Sequence, residues 1–282
     1  MKNSNSKKIV LLTGASSGIG EEFSKYLIKN GFNIILASRN IDKLNEQKKL
    51  IDNPHNIDVY TLQLDITNEE SINNCIAFIE KKFGSIDILI NNAGIGITGP
   101  IEETSDIDIK SAFQTNVFGP IDLIKKCIPS MRKNNDGLII NITSVLGYFG
   151  IPYRGIYCST KSSLEIVGEV LSMELKKFNI RVVNVAPGDF KTGIVSRRID
   201  TKIKNTSFYS PDYEESIQSA NEHVNQAGDP YTVAVLIHKI ILSKNPNIHY
   251  KVGRFIQKFS IILKMILPDK LFEKILLHYS KN

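Results

Sequence analysis

The chain has 282 residues, of which 42% are hydrophobic and 23% charged, and it carries a formal net charge of +6. That length suits one large α/β domain with a full core, and the composition is ordinary for a soluble globular protein. The lysines fall in scattered pairs (Lys81-Lys82, Lys125-Lys126, Lys176-Lys177) on expected helices, without a basic stripe interleaved with aromatics, so nucleic acid is not an expected partner. Three cysteines, Cys75, Cys127 and Cys158, lack ligand spacing, which excludes a disulfide framework and gives no metal site. No apolar run has the length needed to span a bilayer, and the expected location is cytoplasmic.

Residues 1–8 form a polar tail. An apolar run at 9–12 leads into Thr13-Gly14-Ala15-Ser16-Ser17-Gly18-Ile19-Gly20, and Phe23, Tyr26 and Leu27 follow at helical spacing. This is strand, glycine turn and helix, which points backbone N–H groups and the positive end of a helix at one place and so suits a phosphate. Gly14 serves the tight turn, Gly18 close backbone approach, and Gly20 the packing of helix on sheet. The same letters also read Gly-x-Ser-x-Gly, the nucleophile elbow of a hydrolase centred on Ser16. That reading needs a later acid and a histidine, and His55, His223, His238, His249 and His278 are available.

A second strand at 32–37 ends in Ser38-Arg39-Asn40. In a dinucleotide fold the end of this strand meets the adenosine ribose, where a carboxylate favours NAD. Here the carboxylate is missing and Arg39 offers a cation for a 2′-phosphate, so NADPH is expected over NADH. Helical spacing over 41–51 and a strand at 58–64 follow; Asp65, beyond that strand, either hydrogen-bonds an adenine amino group or caps the helix that begins near Asn68. A helix at 71–83 leads to a buried parallel strand at 86–90, closed by Asn91-Asn92-Ala93-Gly94. Residues 95–99 read as loop, and 102–132 as one or two helices bent or broken at Pro120 and Pro129. Asn116 lies inside that stretch, either facing solvent or bending the helix by competing for its backbone bonds.

A strand at 138–143 precedes Ser144 and a loop, and Tyr157 opens a helix running to 178. Tyr157 and Lys161 are four apart and share one helix face. The next strand, 180–185, ends in Ala186-Pro187-Gly188; 191–212 is a polar, irregular candidate lid; helices at 213–225 and 230–243 and a short strand at 249–252 complete the pattern. Repeated βα units with a final strand predict a single doubly wound, Rossmann-like parallel sheet of about seven strands with helices on both faces.

Taken together, Thr13-Gly14-x-x-x-Gly18-x-Gly20, Asn91-Asn92-Ala93-Gly94, Asn116, Ser144, Tyr157-x-x-x-Lys161 and Pro187-Gly188-x-x-x-Thr192 resemble the short-chain dehydrogenase/reductases over roughly residues 8 to 195. The resemblance implies an NAD(P)-dependent oxidoreductase of carbonyls or alcohols and displaces the hydrolase reading, because in that family the serines of the glycine turn bind cofactor. It implies that Tyr157 is the general acid and base, that Lys161 tunes it and holds the nicotinamide ribose, that Ser144 donates to the substrate oxygen, and that Asn116 holds a relay water. It assigns to the cofactor Gly14, Ser16, Ser17, Gly18, Ile19, Gly20, Ser38, Arg39, Asp65, Ile66, Asn92, Ala93, Gly94, Tyr157, Lys161, Pro187, Gly188 and Thr192, with no metal. It further implies a homodimer or homotetramer built through the two long central helices.

On this reading residues 9–253 form the catalytic domain and 254–282 an apolar helical extension on it. That extension is expected to cover a substrate pocket, to meet another subunit, or to lie against a membrane surface. A hydrophobic steroid-, retinoid- or lipid-like carbonyl is the expected substrate, against 3-oxoacyl chains or small polar carbonyls within the enzyme class and a non-catalytic NADP-sensing protein outside it.

Overall fold

The computed structural model describes residues 8–191, 197–204, 206–225 and 227–279, apart from the side chains of 223, 225 and 279. Continuous apolar runs form the first two strands, β1 (Ile9–Thr13) and β2 (Asn33–Ser38), which are buried on both faces as parallel strands require. Between them lies α1 (Gly18–Lys29), amphipathic through Phe23, Leu27 and Ile28. Then come α2 (Ile41–Leu50), β3 (Val59–Gln63), α3 (Glu69–Phe83) and β4 (Ile88–Asn91). Asn68 caps α3 by accepting from the Ser71 N–H at 2.8 Å, and Gly84 ends it at φ +74°. Asp65 therefore is not the cap; its carboxylate instead accepts from the Thr67 amide and hydroxyl at 2.9 and 2.7 Å.

The expected loop at 95–99 contains a two-residue strand, β5 (Ile97–Thr98). The proline-bearing stretch is α4 (Asp106–Phe113), a π turn (Gln114–Phe118) and α5 (Gly119–Asn134) without interruption. Neither proline breaks it: Pro120 sits in the first turn of α5, where its missing N–H is no loss, and α5 continues through Pro129. Next are β6 (Gly137–Ile142), α6 (Gly155–Glu174), which starts two residues before Tyr157, and β7 (Ile180–Pro187). The candidate lid is tied down at β8 (Ile199–Asp200), which pairs with β5, while Thr98 Oγ1 donates to Asp200 at 2.7 Å. The chain ends in α7 (Ser210–Asn225), α8 (Tyr231–Leu242), β9 (His249–Val252), α9 (Phe255–Ile266) and α10 (Asp269–Tyr279).

Seven strands form one parallel sheet in the order β3-β2-β1-β4-β6-β7-β9. Alternate strand residues serve opposite layers. Val10, Leu12, Ile34, Leu36, Ile88 and Ile90 pack with Phe23 and Leu27 of α1 and Ile237 of α8. Leu11, Ile35, Leu89 and Ile139 pack with Ile72 and Ile79 of α3 and Leu123 of α5. The direction of winding reverses between β1 and β4, so a crevice opens beyond their carboxyl ends. The three cysteines are buried and unbonded.

Candidate active site

The glycine turn after β1 is built by long-range hydrogen bonds. Asn92 Nδ2 donates to Thr13 O at 3.0 Å and to Gly14 O at 3.2 Å, and the Asn92 and Ala93 amides both donate to Thr13 Oγ1 at 3.0 Å. Gly14 has φ +65° and Gly18 φ +59°, both in the left-handed region. A Cβ on Gly14 would stand 2.8 Å from Ala93 Cα, and one on Gly20 would stand 2.3 Å from Gly14 O. The cradle therefore admits backbone only. The hydroxyl of Ser17, the residue before α1, makes no capping bond, which leaves the helix N-terminus for an anion. These features fit the pyrophosphate of a dinucleotide.

Gly14, Ser16, Ser17, Gly18, Ile19, Ser38, Arg39, Asp65, Ile66, Asn92, Ala93, Gly94, Ser144, Tyr157, Lys161, Pro187 and Gly188 all line one cavity of about 770 Å³. Gly20 packs against Gly14 and Asn92 within the turn, and Asn116 does not line the cavity but bonds Ile95 beside Gly94. Thr192 lies outside the described residues. No histidine among the described side chains lines the cavity with Ser16, so the hydrolase reading has no base.

Tyr157 and Lys161 stand one turn apart near the start of α6, with the Lys161 ammonium 5.8 Å from the tyrosine ring centre. Lys161 Nζ donates to Ile142 O at 3.0 Å. Burial pushes the Tyr157 phenol up to about 12, against a hydrogen bond from Ser144 that pulls it down. Burial also pushes Lys161 down to about 8, opposed by the charge of Glu165 one turn further on. Ser144 holds its place by accepting from the Leu146 N–H at 3.2 Å.

Asn116 is buried rather than solvent-facing, and its amide does not compete for its own helix. Oδ1 accepts from the Ile95 N–H at 2.8 Å, while Nδ2 donates to Ile95 O at 2.9 Å and to Thr160 Oγ1 at 3.1 Å. It braces the loop after β4 against α6 from within the π turn, a widened turn of the kind that recurs at functional sites.

The structure adds residues that the sequence reading did not single out. Lys43, one turn into α2, lines the cavity beside Arg39. Arg154, three residues before Tyr157, lines it as well, and so do Asp189, Arg197 and Arg198. Their nearness in sequence to residues already singled out is the signal that could have found two of them: Lys43 lies just beyond Arg39 and Arg154 just before Tyr157. Behind Lys161, Glu165 is buried and accepts from the Tyr148 hydroxyl at 2.5 Å, with His249 Nδ1 at 2.7 Å. Asn91, Asn141 and Asn184 form a buried row across β4, β6 and β7 that ends on Glu165 O. No local pattern predicts that row, because its members lie 43 and 50 residues apart.

The far wall comes from the C-terminal helices. Ile256, Leu263, Phe272, Ile275 and Leu276 line the cavity, and Phe272 meets Phe149 edge-on at 5.6 Å. Gln257 ties α9 to the end of β7: its Nε2 donates to Asp189 Oδ2 at 2.6 Å, and its Oε1 accepts from the Asp189 N–H at 3.3 Å.

A doubly wound parallel sheet, a glycine cradle at its switch point and a Tyr-x-x-x-Lys pair facing the same cavity define a nicotinamide-dependent oxidoreductase. The family model described as short chain dehydrogenase matches residues 8–202, and the chain belongs to that family, whose members act on CH–OH groups. Among its relatives, 3-ketodihydrosphingosine reductase from Bacteroides thetaiotaomicron is 34% identical over 271 residues, 94% of this chain and 95% of that protein. A short-chain dehydrogenase from Streptomyces avermitilis superposes with a TM-score of 0.81 at 26% identity, covering 99% of this chain and 97% of that one. L-sorbose reductase from Gluconobacter frateurii, complexed with NADPH and L-sorbose, superposes with a TM-score of 0.74 at 27% identity, covering 88% of this chain and 95% of that one.

Proposed function

We propose that the chain is an NADPH-preferring reductase of large apolar ketones that also runs in the alcohol-oxidising direction. The observation that carries this is the single cavity, with cations and the glycine cradle at one end, Tyr157 and Lys161 in the middle, and apolar residues of α9 and α10 at the other. The bound nicotinamide supplies or accepts hydride. Tyr157 gives its phenolic proton to the substrate oxygen in reduction and takes it back in oxidation. Ser144 donates to the same oxygen as negative charge develops. Lys161, charged below about 8, stabilises the phenolate and holds the ribose. Asn116 is a positioning residue that ties Ile95, beside Gly94, to Thr160, beside Lys161.

Arg39 and Lys43 support the cofactor preference, since both line the cavity at the end of β2 and the start of α2, whereas Asp42, the carboxylate between them in sequence, does not line it. The Arg39→Ser, Lys43→Ser double variant is expected to weaken NADPH binding by about 10- to 150-fold, the value of charged hydrogen bonds at ~1.5–3 kcal/mol, with NADH binding changed less than threefold. Titration by nucleotide fluorescence measures both, and a wild-type Kd for NADH equal to or below that for NADPH would remove the assignment.

The substrate class rests on the apolar wall and on the likeness to 3-ketodihydrosphingosine reductase. NADPH consumption against long-chain ketones, retinal, steroid ketones, 3-oxoacyl thioesters and small sugars tests it; turnover confined to the thioesters or sugars would discard the class. The same reading gives α9 and α10 a membrane-surface role. The outward stripe of α9 is apolar, with Phe255, Ile262 and Ile266 exposed, and residues 254–282 hold six basic against two acidic residues. A second copy of the chain has its own place on α6, where Ile166, Val170 and Met173 form an exposed apolar stripe.

A further inference from the structure

Arg154 is a charged group of the cavity that the reaction does not use. It is the residue immediately before α6, and its carbonyl accepts from the Cys158 N–H at 2.8 Å, so its side chain leaves the helix one turn ahead of Tyr157. Among the described residues its guanidinium makes no hydrogen bond and no ion pair. The other charged side chains around the cavity have different commitments or positions. Arg198 is paired with Asp200, Asp189 is held by Gln257, and Lys161 donates to Ile142 O. Arg39, Lys43 and Asp65 belong to the cradle end, and Arg197 feels the charge of Glu21 on α1. Arg154 lines the same cavity as Leu146, Phe149, Ile151 and the residues of α9 and α10, with Tyr157, Arg198, Asp189 and Asp200 as its charged or titratable neighbours.

The Arg154 side chain is half-buried at the cavity wall, which leaves its guanidinium open to an anionic ligand. Burial and the neighbouring charge of Arg198 lower its pKa, while Tyr157, Asp189 and Asp200 oppose that shift. An arginine stays cationic throughout the working range and presents a fork matched to two oxygens.

We propose that Arg154 is a specificity residue that binds an anionic group, a carboxylate or a phosphate monoester, carried by the substrate a short spacer from its reacting carbonyl. Arg154 and Tyr157 line the same cavity and feel each other's charge, so an anion on Arg154 and an oxygen at Tyr157 can belong to one molecule. The substrate is then an amphipathic ketone. Its carbonyl meets Tyr157 and Ser144, its anion meets Arg154, and its chain runs toward α9 and α10. A long-chain ketone with a protonated amine beside the carbonyl is disfavoured by the same cation. The inference rests on the ketone-reductase reading and refines its substrate class.

The test compares three probes of equal chain length with NADPH: 4-oxohexadecanoate, its methyl ester, and a long-chain hydroxyketone phosphate monoester. Wild type is expected to favour at least one anionic probe over the ester by about 10- to 100-fold in kcat/KM, mostly through KM. The better of the two anions identifies the source. Arg154→Gln is expected to erase the preference while keeping ester turnover within about threefold, and Arg154→Lys to restore part of it. Equal use of acid, phosphate and ester by wild type would overturn the proposal. An equal loss on all three probes in Arg154→Gln, with a shifted pH profile, would also overturn it by making Arg154 a tuner of Tyr157. Binding of the same probes to the NADPH complex, read by calorimetry, separates the two readings. Charge-selective binding that depends on Arg154 without turnover would support this site and sink the reductase reading. Binding without charge preference would sink the site whatever the turnover.

Discussion

Replacing Tyr157 by phenylalanine is expected to lower kcat for ketone reduction by about 10²- to 10⁴-fold, the usual share of a positioned general acid, while NADPH binds within threefold of wild type. The size follows from the geometry. The phenol is buried against Ser144 and Lys161, and burial holds it up at about 12, so it is protonated and ready to donate at neutral pH. Lys161 is held down at about 8. Reduction should therefore be flat from about pH 6 to 7.5, where the phenol carries its proton and Lys161 its charge, and should decline above about 8 as that charge is lost. Oxidation needs the phenolate and rises with pH instead. The phenylalanine variant should lose the slope in both directions along with the rate. Stopped-flow absorbance of NADPH across pH 6 to 10 measures all of this. A variant that keeps more than half of the wild-type rate would remove Tyr157 from the mechanism, whereas a chain that only senses NADP would have no turnover to lose.

Gly20→Ala is expected to raise the Kd for NADPH more than tenfold and to lower Tm, although a single methyl group is added. Its Cβ would stand 2.3 Å from Gly14 O and 2.5 Å from Asn92 Nδ2. Neither neighbour yields easily. Gly14 is backbone in a left-handed turn, and Asn92 Nδ2 is already donating to Thr13 O and Gly14 O. Overpacking of this kind costs about 1–3 kcal/mol, and relief comes by pushing the start of α1 off the cradle, which moves the N–H groups that meet the pyrophosphate. Gly150→Ala is the control, because nothing stands within 4 Å of its Cβ position and both readouts should stay at wild type. Unchanged affinity in Gly20→Ala, with the protein folded, would mean that the cradle does not bind through its backbone.

Much of this fold was legible because its signals are local. The apolar runs of β1, β2 and β6, the amphipathic spacing of α1 and the glycine turn are each carried by neighbours in sequence, and each expected strand of the main sheet is present within a few residues of its predicted bounds. The helices around Pro120 and Pro129 are present as expected, but the break is not, because proline argues against a helix interior only in isolation. In place, one proline falls in a first turn and α5 runs through the other. The burial of Asn116 is not legible for a related reason: helical position alone cannot tell that Ile95 and Thr160 will supply its partners from 21 and 44 residues away.

The sequence by itself determined the order of strands and helices, the backbone-only turn at Gly14 and the shared helix face of Tyr157 and Lys161, since dihedral preference, side-chain period and helical repeat act over a few residues. The tertiary structure alone decided which distant groups meet. It set Asn92 on Thr13, laid a row of asparagines across three strands onto Glu165, and closed the far wall of the cavity with α9 and α10. It also left Arg154 facing that cavity with no described partner. The physical reason is that burial, hydrogen-bond satisfaction and local electrostatics are properties of the packed neighbourhood, and in a parallel sheet that neighbourhood is assembled from segments separated by whole βα units.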